Sequence, residues 1–406
     1  MRKLMMTAAA WRSRETLLLL MAAAVPLAFT TWQTLLNNFA IERVAFTGAD
    51  MGMLQSVREI PGLLAFTAVF LLLLLREQSL TLIALLLLGV GTALTGFLPS
   101  VWGLYFTTLL MSFGFHYYET VHSSLSMQWL NKAEAPRAMG RQIAVKSYAS
   151  LFILGLIWLL LQVFKLDYLW IYVLGGGLTV LLAAAAWLLF PHYPELQVQH
   201  KNMVLRRRYW LYYALTFMSG ARRQVFVVFA GFMMVEKFGY SAADISLLFI
   251  ANHLFNGLFA TAIGGLIAHW GERRALIFEY LGLIGIFVAY ALVENAQLAA
   301  GLYVIDHLFF ALAIAIKSYF QKIADPADIA ASAGVSFTIN HIAAVVIPAA
   351  FGLLWLLSPA AVFLAGAGMA LISLGLAHFI PTEPTAQQAV DLSILSYRKT
   401  ADEPAA

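Results

Sequence analysis

IERVAFTGAD (residues 41–50) and VEKFGYSAAD (residues 235–244) carry the same chemistry in the same order. Ile41 meets Val235, Glu42 meets Glu236, Arg43 meets Lys237, Phe46 meets Tyr240, Thr47 meets Ser241, Ala49 meets Ala243 and Asp50 meets Asp244, each pair 194 positions apart. Gly140 and Gly334 repeat that offset of 194, and Gly103-Leu104-Tyr105 meets Gly301-Leu302-Tyr303 at 198. Ordered matches at nearly one spacing mark an internal duplication, and small changes in loop length account for the shifts.

The solvent for each copy follows from composition. The 406 residues are 62% hydrophobic and 11% charged, against about 25% charged in ordinary soluble domains. A chain that apolar needs lipid around it, and a helix crosses the hydrocarbon layer with roughly 20 apolar residues. The hydropathy pattern predicts spans at 16–41, 50–75, 79–98, 101–129, 139–163, 167–190, 209–235, 242–268, 274–293, 298–322, 332–357 and 359–380. The basic start (Arg2, Lys3, Arg12, Arg14) before Leu17–Ala28 is superficially like a signal peptide. Its apolar run continues through Trp32 and Leu35–Leu36 and has a counterpart in the second copy, so it reads as helix 1. Cysteine is absent, which excludes disulfides and thiolate metal sites.

Lysine and arginine orient the spans. One side receives 17 of them, including Arg76, Arg141, Arg206, Arg207, Arg208, Arg273, Arg274 and Lys322, and the other receives Arg43, Lys165 and Lys237. The positive-inside rule then places both termini in the cytoplasm. The expected organisation is all-α: 1–190 a first six-helix bundle, 191–208 a basic cytoplasmic linker, 209–380 a second six-helix bundle and 381–406 a polar cytoplasmic tail. Six helices per copy make the repeat a parallel one.

With that pattern the chain resembles the major facilitator superfamily of secondary transporters over nearly its full length. The turn Gly264-Gly265-Leu266-Ile267-Ala268-His269-Trp270-Gly271-Glu272-Arg273-Arg274 is similar to the family's loop signature, with Ala268 where the signature usually has Asp. The helix-4 arginine and helix-5 Gly-Pro motif of proton-coupled drug antiporters are missing. The resemblance implies a central cavity lined by helices 1, 4, 7 and 10, with 2, 5, 8 and 11 flanking it and 3, 6, 9 and 12 facing lipid. It also implies a monomer.

Ionisable groups inside a bilayer cost at least about 2.5–3.5 kcal/mol, so they normally face a cavity or a partner. Here they are Arg58 and Glu59 on helix 2, Glu119 on helix 4, Lys146 on helix 5, Arg222 and Arg223 on helix 7, and Asp306, His307 and Lys317 on helix 10. Helix 9 has only Glu279, near enough to the Arg273–Arg274 loop for snorkelling to suffice. Asn252 and His253 lie on helix 8, Asn340 and His341 on helix 11, and Thr30, Gln33 and Asn37 form a polar stripe on helix 1. Asp306 and Lys317, 11 residues apart, return to one face of a regular helix. His116 and Glu119 share a face of helix 4 beside Tyr117 and Tyr118.

No nucleotide-binding loop, nucleophile–base pair or metal motif occurs, so neither an enzyme nor a metal, cofactor or nucleic acid is expected. The expected function is secondary active transport by alternating access, driven by protons, across a bacterial inner (cytoplasmic) membrane. Glu119, Asp306, His307, Glu59, His253 and His341 are the candidate proton carriers, histidine because it titrates near neutrality. Arg222, Arg223, Arg58, Lys146, Lys317, Gln33, Asn37, Tyr117, Asn252 and Asn340 are the candidate substrate ligands. Arginine forks suit carboxylate or phosphate, which points to a small organic anion. The alternatives are proton-driven efflux of a drug-like or amphipathic compound, and a non-transporting sensor or scaffold on the same fold.

Overall fold

The structure, a computed structural model, describes residues 12–129, 135–193, 205–325 and 329–392. Most of the expected linker, the tail from 393, and the loop residue Lys132 lie outside that range. The regular structure among the described residues is all helical, with no strand. Helices fall on every segment the hydropathy pattern picks out. They are α1 (Arg14–Val44), α2 (Gly48–Leu63), α3 (Glu77–Thr95), α4 (Val101–Trp129), α5 (Ala135–Gln162), α6 (Tyr168–Leu189) and α7, which begins as Trp210–Gln224. After them come α8 (Ala242–Trp270), α9 (Glu272–Leu292), α10, which begins as Ala296–Ala311, α11 (Ile329–Leu357) and α12 (Pro359–Ala377). Eight of the described helices are long and apolar enough to cross a membrane. The apolar side chains that would be an error in water, such as Leu74 at 84% exposure and Leu188 at 82%, belong against lipid.

The duplicated block has a local reason. In the first copy Thr47 caps α2: its hydroxyl accepts from Asp50 N, and the Asp50 carboxylate accepts from Thr47 N at 3.0 Å. In the second, Asp244 N donates to the Ser241 hydroxyl at 3.2 Å while Ser241 N donates to the Asp244 carboxylate at 2.9 Å. Both are capping boxes, each satisfying two backbone donors that a helix start leaves open. Hydroxyls inside the helices are satisfied the same way: Thr31 donates to Leu27 O at 2.6 Å, and Thr34 to Thr30 O at 2.7 Å.

The chain forms two compact units, Met1–His200 with Val235–His253, and Lys201–Met234 with Leu254–Ala406. In the first, α3 packs on α4 and α6, α1 on α5 and α6, and α2 on α4. Lipid is as apolar as leucine, so close backbone approach at small residues takes over from hydrophobic burial. A Cβ on Gly176 would sit 2.3 Å from Gly89 O, and one on Gly89 would sit 2.7 Å from Gly176 O, so α3 and α6 touch backbone to backbone there. In the second unit α9 packs on α12 and α10, and α7 on α11 and α12.

Three helices depart from the regular spans expected. The expected span 50–75 stops at Leu63, two residues after Pro61, and continues as the 3-10 turn Ala65–Thr67 and the short helix Ala68–Leu71. Proline removes a backbone donor and crowds the preceding turn. Helix α7 widens into a π-helical turn, Val225–Ala230, before Gly231–Glu236. Helix α10 breaks at Leu312–Ala313 and resumes as Ile314–Ile323. The face shared by Asp306 and Lys317 assumed a continuous helix, and the break removes it: Asp306 is buried and Lys317 exposed.

Residues 381–392 fold back on the second unit. Tyr319 Oη donates to Ala389 O at 2.6 Å, Asp391 N donates to Phe379 O at 2.8 Å, and Arg273 lies 3.7 Å from Asp391. Ala389 and Val390 pack against the core of Tyr209, Tyr280, Tyr319 and Phe320.

Candidate functional site

In the second unit three of the described ionisable side chains are completely buried. Arg222, in the last turn of α7 before the π-helical segment, is completely buried and lies 3.4 Å from Glu279 of α9, which is also completely buried. Its guanidinium sits 4.3 Å over the ring of Tyr280, a cation–π contact that strengthens away from water. Asp306 of α10 is completely buried as well, and neither of its oxygens has a hydrogen-bond partner among the described residues. Arg222, Tyr290 and Tyr303 all stand within electrostatic reach of it. Arg222 Nε and Nη1, Glu279 Oε2 and the Tyr290 hydroxyl likewise have no partner.

Sequence reasoning had given Glu279 to the loop by snorkelling. The structure corrects this: with Glu272 holding the helix start, Glu279 lies nearly two turns deeper and turns inward to Arg222. The signal lay in the sequence, since a second carboxylate seven residues into an apolar helix points the same way as the first. Glu272 accepts from Ser318 at 2.7 Å and from Lys322 at 2.9 Å.

Arg223, one residue on from Arg222, is exposed, as the 100° step between adjacent helical residues requires. Lys317 is exposed too. His307 is half-buried, its ring 5.9 Å from that of Phe226. Asn340 packs against Gly220, where a Cβ would meet its Oδ1 at 2.4 Å. His341 is buried, with Nδ1 3.1 Å from Phe337 O and its ring stacked on Phe337.

Two of the first unit's ion pairs lie among the candidate residues. Arg58 and Glu59 pair directly and are both buried, with the Arg58 guanidinium 6.0 Å from the Trp32 ring. Lys146 donates to Glu119 at 2.6 Å with both side chains about one-third exposed, 32% and 36%. Tyr117 exchanges a hydrogen bond with Thr67. Of the helix-1 stripe, Thr30 is buried while Gln33 and Asn37 are half-buried. Asn252 is buried with Oδ1 unpartnered, and His253 is half-buried. His122, not singled out from sequence, is buried with Nε2 3.2 Å from Leu18 O and its ring stacked on Tyr118.

A sequence model for the Major Facilitator Superfamily matches residues 16–348. The chain belongs to that superfamily. It is an integral, multi-pass membrane protein with a transporter's fold, and not an enzyme. No curated protein matches the sequence. Among solved structures, a mutant of the nucleoside transporter NupG is similar at TM-score 0.74 and 15% identity, covering 90% of this chain and 99% of that one. A bacterial homologue of the human lysosomal transporter Spinster, inward-facing and occupied, is similar at TM-score 0.69 and 14% identity, covering 93% and 97%. At such identities the likeness to these superfamily members is one of fold.

Proposed function

We propose that this protein is a proton-coupled secondary transporter of a small organic anion, working by alternating access in a bacterial cytoplasmic membrane. Two six-helix bundles, with twelve spans in all and both termini in the cytoplasm, alternate about a site near the midplane. The 17-to-3 division of lysine and arginine supports the orientation. The working unit is a monomer, and no cofactor is required.

The placement of the cationic side chains supports the substrate reading. Deep in the first unit Arg58 and Lys146 are matched one to one by Glu59 and Glu119. Deep in the second, Arg222 is paired with Glu279, and the side chains of Arg223 on α7 and Lys317 on α10 are exposed. Exposed cationic side chains such as those of Arg223 and Lys317 suit a carboxylate or phosphate group. Protons are the coupling ion because the membrane-embedded acids Asp306, Glu279 and Glu119 offer sites for them, and no nucleotide-binding loop offers another energy source.

The test is thermal stabilisation of the purified protein by a panel of anionic, cationic and neutral metabolites, with nucleosides included because NupG shares the fold. A ligand confined to the folded state stabilises by RT ln(1 + [L]/Kd), about 2.7 kcal/mol at 100 Kd. Anions should stabilise the wild type, and Arg223→Ala or Lys317→Ala should weaken the effect. Stabilisation by cations or apolar compounds alone, unchanged in both variants, would replace this reading with efflux of amphipathic compounds. Binding without flux in liposomes would mark a sensor.

A further inference from the structure

We propose that the end of α1 and the turn between α5 and α6 form a binding site for a phosphate group, carried by a membrane lipid or free in solution, with Arg43 and Lys165 as its ligands. The site goes beyond the transport reading and does not depend on it.

A cavity of about 310 Å³ lies there, lined by Arg43, Leu161, Lys165, Leu166, Asp167 and Tyr168. All six belong to the first unit. Small-molecule sites run from roughly 300 to 1,000 Å³, so this one fits a phosphate with its glycerol rather than a large substrate. Three lysines and arginines fall on this side of the spans, Arg43, Lys165 and Lys237, against 17 on the other. Two of the three line the same cavity.

The donors are arranged for an oxyanion. Arg43, in the last turn of α1, donates from Nη2 to Asp167 and holds its guanidinium 5.9 Å from the Tyr168 ring. The other donors of that fork have no hydrogen-bond partner among the described residues. Lys165 donates to Gln162 at 3.4 Å, and an ammonium carries two further donors. Asp167 is engaged on both oxygens: Oδ1 accepts from Leu169 N at 2.9 Å to cap α6, and Oδ2 accepts from Arg43. Glu42, the next acid, accepts from the Tyr168 hydroxyl at 3.0 Å on each oxygen and does not line the cavity. With Asp167 paired to Arg43, no lining acid remains for Lys165. A guanidinium fork beside an ammonium suits phosphate.

The internal duplication shows that joining this helix pair does not require the cavity. In the second copy Ser358 alone joins α11 to α12, and it caps α12 by accepting from Ala361 N at 3.2 Å. In the first copy the five residues 163–167 join α5 to α6. The added length carries Lys165, whose backbone is left-handed at φ 51°. Glycine takes that conformation without strain, whereas lysine there places a cation at the cavity. Strain of this kind gathers at binding sites. Val163, Phe164 and Trp170 around the turn are exposed, and tryptophan among apolar side chains marks the level of lipid headgroups.

The experiment measures binding to the purified full-length protein in detergent, by native mass spectrometry for lipids and by thermal shift for soluble anions. The probes are phosphatidylglycerol, diacylglycerol as its counterpart without phosphate, glycerol 3-phosphate and inorganic phosphate. Each is applied to the wild type, Arg43→Gln, Lys165→Gln, Lys165→Arg and Lys237→Gln, whose melting temperatures without ligand establish that they are folded. Phosphatidylglycerol should be retained where diacylglycerol is not, and should bind about tenfold more weakly to Arg43→Gln and Lys165→Gln, which lose charged donors. Lys165→Arg should keep the binding, and so should Lys237→Gln, which removes a cation of the same side from outside the cavity. The same pattern across variants for the soluble phosphates, without preference for phosphatidylglycerol over diacylglycerol, would assign the site to a free phosphate. Lys165 is exposed, so Lys165→Gln tests the site even where loss of the Arg43–Asp167 pair unfolds the protein. Binding that is equal in the wild type and Lys165→Gln would overturn the proposal, as would no binding of any phosphate probe. An equal loss in Lys237→Gln would overturn it too, because charge alone and not the cavity would then hold the phosphate. Flux plays no part in these readings, so failure of the anion-transport reading and failure of this site are separate results.

Discussion

Replacing Arg222 by methionine should separate two adjacent arginines that sequence treats alike. At 3.4 Å and an effective dielectric constant of about 20, the attraction between Arg222 and Glu279 is about 5 kcal/mol. Methionine keeps much of the apolar stem and leaves Glu279 without its cation. Removing one partner of a buried pair typically costs about 3–5 kcal/mol, a large share of the ~5–15 kcal/mol that holds a typical protein folded. Arg223→Met removes an exposed charge and should change stability by no more than about 1 kcal/mol. The double variant Arg222→Met with Glu279→Gln removes both charges and should regain most of the loss, since replacing a buried pair by neutral groups is often close to neutral. The assay is thermal unfolding in detergent, followed by tryptophan fluorescence and by loss of monodisperse protein. If Arg222→Met melts with Arg223→Met, or the double variant melts as low as the single one, the buried pair is not what holds α7 to α9.

Gly176→Ala forces a Cβ to within 2.3 Å of Gly89 O and should cost about 1–3 kcal/mol as overpacking. The next residue is the control: a Cβ on Gly177 meets nothing within 4 Å, so Gly177→Ala should be neutral or gain up to about 1 kcal/mol in helix propensity, and equal melting of the two would refute the α3–α6 contact. Glu272→Ala deletes the acceptor of both Ser318 and Lys322 and should lower stability by about 2 kcal/mol, measured by the same melts. Tyr319→Phe removes the hydrogen bond to Ala389 at about 1 kcal/mol, and limited proteolysis should then cut the 381–392 segment faster than in the wild type.

Much of the fold was legible because its causes are local. A run of about 20 apolar residues spans lipid whatever its neighbours do, so helices appear where hydropathy places them. The Thr47–Asp50 and Ser241–Asp244 pairs lie three residues apart in sequence and close their capping boxes without help from the rest of the chain. Interruptions were less legible. Pro61 marks the end of α2 plainly, but no residue type announces the π-helical turn at Val225–Ala230 or the break at Leu312–Ala313. Those depend on what packs against α7 and α10.

By itself the sequence determined the solvent, the helical segments, the duplication and the short inventory of charged groups that lipid must tolerate. Composition and period are properties of the chain, and each acts within a few residues. Only the tertiary structure decided which charges meet. It joined Arg222 to Glu279 across 57 positions, buried Asp306 completely, left Arg223 and Lys317 exposed, and paired Lys146 with Glu119. The physical reason is that a buried charge is stabilised or penalised by whatever lies within a few ångströms in space, and helices far apart in the chain supply those neighbours.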